Sequence, residues 1–274
     1  MLEQATLVKN NRSLDFKKDL GVRVLGIRRE APNLVPQYVS FEWGDGNRYV
    51  GSSFKSFNLT LSLYLKSESV DDFELKLDAF LKEIYVRGEC FIIRSREPGK
   101  RYRVRPQPFS YAKVNQRHGT IELQFEVYEG HSESLATTLE INGLENGLWQ
   151  FGQGLPLEDY AYEHRNGHFF IYNAGDFAVD PREHYLKIML KGMSEGNIDI
   201  FNQTTGERFV HYGSLYSDRG EVLTLEGVYP YKNSVNCGIN TNGGLISLAP
   251  GVNEIKISNI SRVEASFDFR FLYK

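Results

Sequence analysis

The chain has 274 residues, of which 41% are hydrophobic and 24% are charged, and its net charge is −3. This composition is ordinary for a folded globular protein, and the length suits two domains better than one. A near-neutral chain is unlike proteins that bind nucleic acid across a broad basic face, and no apolar run is long enough to span a bilayer. The first residues lack the pattern of a signal peptide, so we expect the chain to stay in the compartment where it is made.

Cys90 and Cys237 are too few for a disulfide framework or a cysteine-based zinc site, and we expect both to be small buried residues.

The front half alternates between strand patterns and one helical pattern. Residues 59–66 place four leucines on one face, which predicts a strand. The next segment has apolar residues at helical spacing, with Ser69 as N-cap, two acids in the first turn and Gly88 as the expected stop. The helical stripe consists of Phe73, Leu77, Phe80, Leu81 and Ile84.

A basic hairpin is predicted next, in "CFIIRSREPGKRYRVRPQP", with two extended arms joined around Pro98 and Gly99. Three interpretations are open: contact with acidic groups of a neighbouring subunit, a solvated edge that blocks stray sheet pairing, or, less favoured, contact with phosphates. The candidate residues for subunit contact are Arg94, Arg96, Lys100, Arg101, Arg103 and Arg105.

The strand pattern of residues 121–127 closes the front half, and a Gly-, Ser- and Asn-rich stretch between Glu129 and Leu157 follows. We therefore predict a front domain over residues 1–138 and a rear domain over residues 139–274. Residues 1–140 carry 21 basic and 19 acidic side chains, whereas residues 141–274 carry 11 and 16, which weakly supports two modules. The rear half shows many short strand runs, including "NEIKIS" and "SFDFRFLYK", which predict an antiparallel sandwich or barrel.

No catalytic, metal or cofactor site is predicted. His164 and His168 have the spacing of a zinc helix, but the intervening "RNG" favours a turn between strands and no third ligand is indicated. The glycine-rich segments 44–51 and 147–154 lack both a phosphate-loop lysine and a following helix, so both are expected to be loops or turns. Adjacent acids such as Asp71 and Asp72 do not face each other across a cleft, as glycoside hydrolysis requires. The chain is therefore not expected to be an enzyme.

Aromatic residues of the rear half leave a second function open. They could form a platform on which sugar rings stack, or they could belong to the core. A carbohydrate-binding sandwich for host-surface attachment is therefore the alternative function. The residues concerned are Trp149, Phe151, Tyr160, Tyr162, Phe169, Phe170 and Tyr172.

The order of these features resembles the distal tail protein of siphophages. The front half carries "LDFKKDLGVRVLGIRREAPNL", "WGDG", the alternating strand, the capped helix, "REPGKRYRVRP" and "IELQFEVYEG" in that order. The rear half continues with "IYNAGD", "IDIFNQTTGE" and "LAPGVNEIKIS", so the resemblance covers essentially the whole chain.

The resemblance implies a mainly β protein. It implies a front β-sandwich with one α-helix and a projecting β-hairpin, followed by a galectin-like antiparallel β-sandwich. The hairpin is matched by position to residues 93–106, so its basic residues become candidates for ring contacts or for the wall of the channel. The resemblance also implies a homohexameric ring at the tip of the tail in the virion, assembled in the cytoplasm of the bacterial host. The implied partners are the tail tube protein, a tail-associated lysin or fibre-type protein and a receptor-binding protein. DNA would pass through the ring without specific binding, and neither a membrane nor a cofactor is implied.

Overall fold

The computed structural model describes residues 3–10, 12–140 and 160–274. The chain divides into two compact units: residues up to Glu133 together with Lys274, and Ser134–Tyr273. The predicted loop at 147–154, together with Trp149 and Phe151, lies outside the described residues.

The front unit is built from antiparallel strands, and seven of them form one path in the order β2-β1-β7-β8-β10-β6-β3. β9 pairs with β10, and β4 pairs with β5 in a separate two-stranded sheet. The strands are β1 (Ala5–Lys9), β2 (Arg12–Asp15), β3 (Val22–Arg29), β4 (Asn33–Ser40), β5 (Asn47–Lys55), β6 (Phe57–Lys66), β7 (Cys90–Arg94), β8 (Glu97–Pro106), β9 (Tyr111–Asn115) and β10 (His118–Val127), and β11 (Ser132–Ser134) spans the boundary between the units.

The predicted helix is α1 (Val70–Ile84). Ser69 caps it, because its hydroxyl accepts a hydrogen bond from the amide of Asp72 at 3.1 Å. The Asp72 carboxylate accepts in turn from the Glu68 amide; this bond, assisted by Lys76, lowers the pKa of Asp72. The helix ends before the expected stop at Gly88.

The core of the front unit combines the buried faces of the sheet with the apolar stripe of α1. β6 and β10 pair over ten residues each, from Phe57 opposite Val127 to Lys66 opposite His118. The four leucines of β6 are fully buried, as their alternation predicts. Of the helical stripe, Phe73, Leu77, Phe80 and Ile84 are buried and Leu81 is partly buried.

The rear unit is an antiparallel β-sandwich. One sheet has the order β12-β22-β14-β18-β19-β20, with β17 also on β14, and the other has the order β13-β21-β15-β16. Side chains from both sheets share one hydrophobic core. The strands are β12 (Glu163–His164), β13 (His168–Asn173), β14 (Leu186–Ser194), β15 (Ile198–Asn202), β16 (Glu207–His211), β17 (Leu215–Tyr216), β18 (Leu223–Glu226), β19 (Tyr229–Lys232), β20 (Val235–Asn236), β21 (Gly251–Ser258), β22 (Ser261–Phe269) and β23 (Leu272–Tyr273), and short 3₁₀ helices occupy Ser217–Arg219 and Gly238–Asn240.

The rear strand predictions hold with one change of detail. "NEIKIS" lies in β21, whose first residue, Gly251, has the positive φ of 86° that glycine adopts without strain. "SFDFRFLYK" is not one strand, because β22 stops at Phe269 and β23 begins at Leu272. Its four alternating aromatic residues are nevertheless all buried. Cys90 and Cys237 are buried free thiols.

Candidate assembly surfaces

The basic segment does form a hairpin, but the predicted turn and the predicted projection are both wrong. The turn lies at Ser95–Arg96, and Pro98 and Gly99 belong to β8, because Arg94 pairs with Glu97 across the turn. β8 lies between β7 and β10 in the sheet path, and Tyr102 and Val104 are fully buried. Residues 90–106, here called the basic hairpin, are therefore part of the sheet.

Arg94 is satisfied inside its own unit. Its Nε donates to Glu3 at 2.8 Å and its Nη1 to Glu97 at 3.0 Å, and the side chain is only 11% exposed. Burial by itself would lower the pKa of Arg94, but the bond to Glu3 and the charge of Glu97 outweigh it, so the pKa is raised. The Tyr102 hydroxyl donates to the same Glu97 carboxylate at 2.8 Å, so this group fixes the strand pair from within.

Arg101 and Arg103 are also paired within the unit. Arg101 donates to Glu133 at 2.6 Å and stacks over Phe91 at 4.2 Å. Arg103 donates to Glu129 at 2.9 Å. Burial opposes the charge of Arg103, yet the surrounding carboxylates, Glu129 first, raise its pKa. The acidic partners predicted for a neighbouring subunit are thus present in the same chain.

The remaining basic residues differ in exposure. Arg96 is 71% exposed and lies 3.6 Å from Glu3. Arg105 is exposed, donates to the carbonyl of Gly88 and lies 5.8 Å from the ring of Tyr128. Lys100 is half-buried. Contact with another subunit stays a prediction for this hairpin, and Arg96 and Arg105 are the two residues placed to make it.

A different hairpin is uncovered. Among the described residues, β4 and β5 pair only with each other, and all eight residues of β4 are exposed. We call residues 33–55 the ribbon. It extends the β3–β6 pair, since β3 runs into β4 after three residues and β5 runs into β6 after Ser56. The ribbon is therefore anchored in the sheet at its base, where Ser53 and Phe54 are partly buried, and it is exposed over β4 and the tip.

The ribbon is rich in exposed apolar residues, as is typical of a surface that binds another protein. No charged residue occurs in β4, although a strand that must stay in solvent normally carries charge to prevent pairing. Tyr38 packs edge-on against Tyr49, with ring centroids 6.1 Å apart. At the tip, Trp43 is 98% exposed. The other exposed large apolar residues of the ribbon are Leu34, Val35, Val39, Phe41 and Val50.

The sequence contains a signal for this hairpin that composition alone does not reveal. Asp45-Gly46 lies between two runs rich in β-branched and aromatic residues, which is a strong hairpin pattern. Gly46 has φ of 74°, as a tight turn requires. The prediction of a loop over 44–51 is therefore right for the tip and wrong for the residues from Asn47 onward, which belong to β5.

The rear unit places the histidines and aromatic residues named in the sequence analysis as follows. His164 ends β12 and His168 begins β13, so the two are separated by a turn as predicted. No cluster of three or more potential metal ligands occurs among the described residues. Tyr162 and Phe169 pack in the core, whereas Phe170 is exposed on the opposite face of β13. Tyr172 lies on the same outer face as Phe170, and Tyr160 stacks on Tyr172 with ring centroids 4.8 Å apart. Sugar binding by these residues stays a prediction.

Within the described part of the chain, no helix has the length and apolarity needed to cross a membrane.

Comparison with known proteins gives one family match. Residues 11–127 match the family described as the phage tail protein RIFT-related domain. No curated protein matches the sequence significantly. The family match thus lies within the front unit and covers less than half of the chain.

The solved structures extend this likeness to the fold of nearly the whole chain. The crystal structure of the Dit protein (gp 19.1) of phage SPP1, described as a paradigm of the hub adsorption apparatus in phages that infect Gram-positive bacteria, aligns with a TM-score of 0.69. The identity is 11%, and the match covers 97% of this chain and 99% of that protein. Two structures of the phage p2 baseplate in its activated conformation, with Ca and with Sr, align over 98% or more of this chain, at 11% and 10% identity and a TM-score of only 0.41. The resemblance to distal tail proteins predicted from the sequence is confirmed, and the chain has their fold.

Proposed function

We propose that this chain is a structural hub of a phage tail tip, in which six copies form a ring through their front units. The ring joins the tail tube to tail-associated and receptor-binding proteins, and DNA passes through it without being bound specifically. The phage tail domain in residues 11–127 and the distal-tail fold support this role. The rear sandwich is the part offered to the other proteins of the tail tip.

The observation that carries the proposal is the uncovered ribbon. A long, apolar strand pair with free edges favours association with another chain. β4 has eight residues and therefore extends about 26 Å, so the ribbon provides an area of the order that a specific interface needs. Because the basic hairpin is satisfied internally, the ribbon is the better candidate for the ring contact.

Ribbon deletion tests the proposal. Asn33 and Lys55 are paired across the base, so residues 34–54 can be replaced by an Asn-Gly turn without changing β3 or β6. We expect wild-type protein, alone or with its tail partners, to give six-fold rings with an open centre in negative-stain microscopy. The deletion variant should keep its thermal unfolding temperature and remain monomeric by light scattering.

Rings formed equally well by the deletion variant would remove the ribbon from the assembly surface. A wild-type chain that stays monomeric in the presence of every tail protein would contradict the hub itself.

A further inference from the structure

We propose that Trp43 of one copy inserts into the apolar groove between α1 and β9 of the next copy, so that neighbouring front units join head to tail. This inference rests on the proposed ring and specifies the contact that closes it. Trp43 and the groove are different patches of one chain, and an interface between two different patches repeats around a ring.

The groove lies in the front unit and has a volume of about 300 Å³, which is room for one indole ring. One wall comes from α1 and the residue that caps it, at four-residue spacing, and the other from the segment leading into β9. The lining residues are Leu77, Leu81, Tyr85, Pro108, Phe109 and Tyr111.

The groove walls are fixed before any partner binds. The Tyr85 hydroxyl donates to the carbonyl of Gln107 at 2.7 Å, and the Tyr85 ring stacks on Phe109 with centroids 6.3 Å apart. Tyr111 packs against the buried ring of Phe73 at 5.8 Å. A preformed apolar groove binds an aromatic side chain without the cost of ordering its own walls.

Trp43 is the side chain that fills the groove in this proposal. A tryptophan that is almost fully exposed leaves a large apolar area in water, and burial of such a side chain removes roughly 150–250 Å² of it. Tryptophan is also among the residues that most often dominate binding energy at interfaces. The sides of the ribbon then supply the rest of the interface, since one side chain covers only a fraction of the roughly 800 Å² per partner that a stable contact needs.

The charges near Trp43 favour the groove of a second copy over a lipid surface as its binding partner. Glu42 and Asp45 flank Trp43 in the chain, and an acidic tip is repelled by anionic headgroups. On the groove side, Lys82 and Arg87 lie three residues before and two residues after Tyr85 in the chain, and both are exposed. The acids of this segment have cationic neighbours of their own: Glu83 is paired with Lys9, and Glu89 lies 3.5 Å from Arg103. Asp78 lies one turn before Lys82, so the positive charge is at the Tyr85 end of the groove.

Disulfide trapping between copies tests the contact directly. Gly44→Cys keeps Trp43, and a Cβ at this position meets only Phe41 at an ordinary 3.5 Å. Mixed with a Pro108→Cys variant and oxidised, it should give a cross-linked heterodimer. The matched control is Ile239→Cys in the rear unit, 95% exposed, which should give none with Gly44→Cys. Absence of the first cross-link, or equal yields in both mixtures, would overturn the proposal.

Mixing two variants that each lack one half of the contact tests the groove contact separately from the proposed ring. Trp43→Ala should weaken self-association about 30-fold without lowering the thermal unfolding temperature, and Pro108→Trp should do the same by filling the groove. The two variants mixed should form a 1:1 dimer and stop there, because each pair has one intact contact. Rings formed normally by Trp43→Ala would overturn the groove contact and leave the hub proposal standing, whereas a wild-type chain without rings would refute the hub.

Discussion

The two hairpins of the front unit are opposite in composition and in environment. The basic hairpin carries six cationic side chains, yet it lies in the sheet and its arginines Arg94, Arg101 and Arg103 have carboxylate partners in the same chain. The ribbon carries only Glu42, Asp45, Arg48 and Lys55 as charged residues, and its strand β4 has none and is exposed throughout. A cluster of charge is thus a poor guide to a protein interface when its counter-charges are local, whereas uncovered apolar strands indicate one.

The largest effect that sharpens this comparison is expected from Arg94→Ala. The substitution leaves Glu3, which is 5% exposed, without its main partner, so the front unit should lose about 3 kcal/mol of unfolding free energy. Denaturant unfolding of the full chain measures this. Arg96→Ala is the control in the same hairpin and should cost less than about 0.5 kcal/mol, because Arg96 is largely solvated. Equal losses for both variants would contradict internal pairing.

Salt dependence gives an intermediate effect and separates the two hairpins as interfaces. If the apolar ribbon makes the ring contact, the association constant should change less than about fivefold between roughly 0.05 M and 0.5 M salt, because apolar burial is hardly screened. Sedimentation velocity over this range measures it. A contact made by the exposed Arg96 and Arg105 would weaken steeply instead, and that result would return the interface to the basic hairpin.

The smallest effect concerns the rear unit, where the side chain of His211 is buried near Lys232. Burial, and then the charge of Lys232, lower the pKa of His211 below its ordinary 6.5, although the Asn240 carbonyl partly opposes this. The unfolded chain therefore takes up this proton first, and the rear unit should lose stability as the pH falls through about 6.5, until His211 is protonated in the folded state as well.

Thermal unfolding measured between about pH 7.5 and about pH 5 tests this change, because this range brackets the ordinary histidine pKa of about 6.5. His211→Leu should reduce the slope, and the remainder comes in part from His164, whose pKa is also lowered by burial. His168→Gln, which removes an exposed histidine of the same unit, should leave the contribution of His211 in place. An unchanged slope in His211→Leu would assign the pH dependence to other groups.

Local patterns in the sequence predicted most of the elements. The leucines of β6 repeat every second residue, and the apolar stripe of α1 has helical spacing. In each case the spacing of the apolar residues determines which face of the element is buried. The position of the turn in the basic hairpin was not predictable in this way, because Pro98 and Gly99 are turn residues by composition and only the pairing of Arg94 with Glu97 excludes them from the turn. The helix end was likewise misplaced, since a glycine at 88 marks a permitted stop and not a required one.

The candidate assembly site was harder to predict for a physical reason. The ribbon has the residue types of a buried strand pair, so its sequence indicates β structure and burial together. Whether its own chain supplies the cover depends on which strands pair across long separations, and the sequence of β4 and β5 does not contain that information. The ion pairs of Arg101 and Arg103 were not predicted for the same reason. Their partners, Glu133 and Glu129, follow about thirty residues later, and only the pairing of distant strands brings them together.

The continuity of β5 into β6 has a mechanical consequence. A pull on the ribbon passes through Ser56 along β6, whose hydrogen bonds to β10 lie perpendicular to the strands. Traction in this direction loads ten residue pairs in shear at the same time, instead of peeling them apart one after another. Force applied to the ribbon in the proposed assembly would therefore act on the longest strand pairing of the front unit.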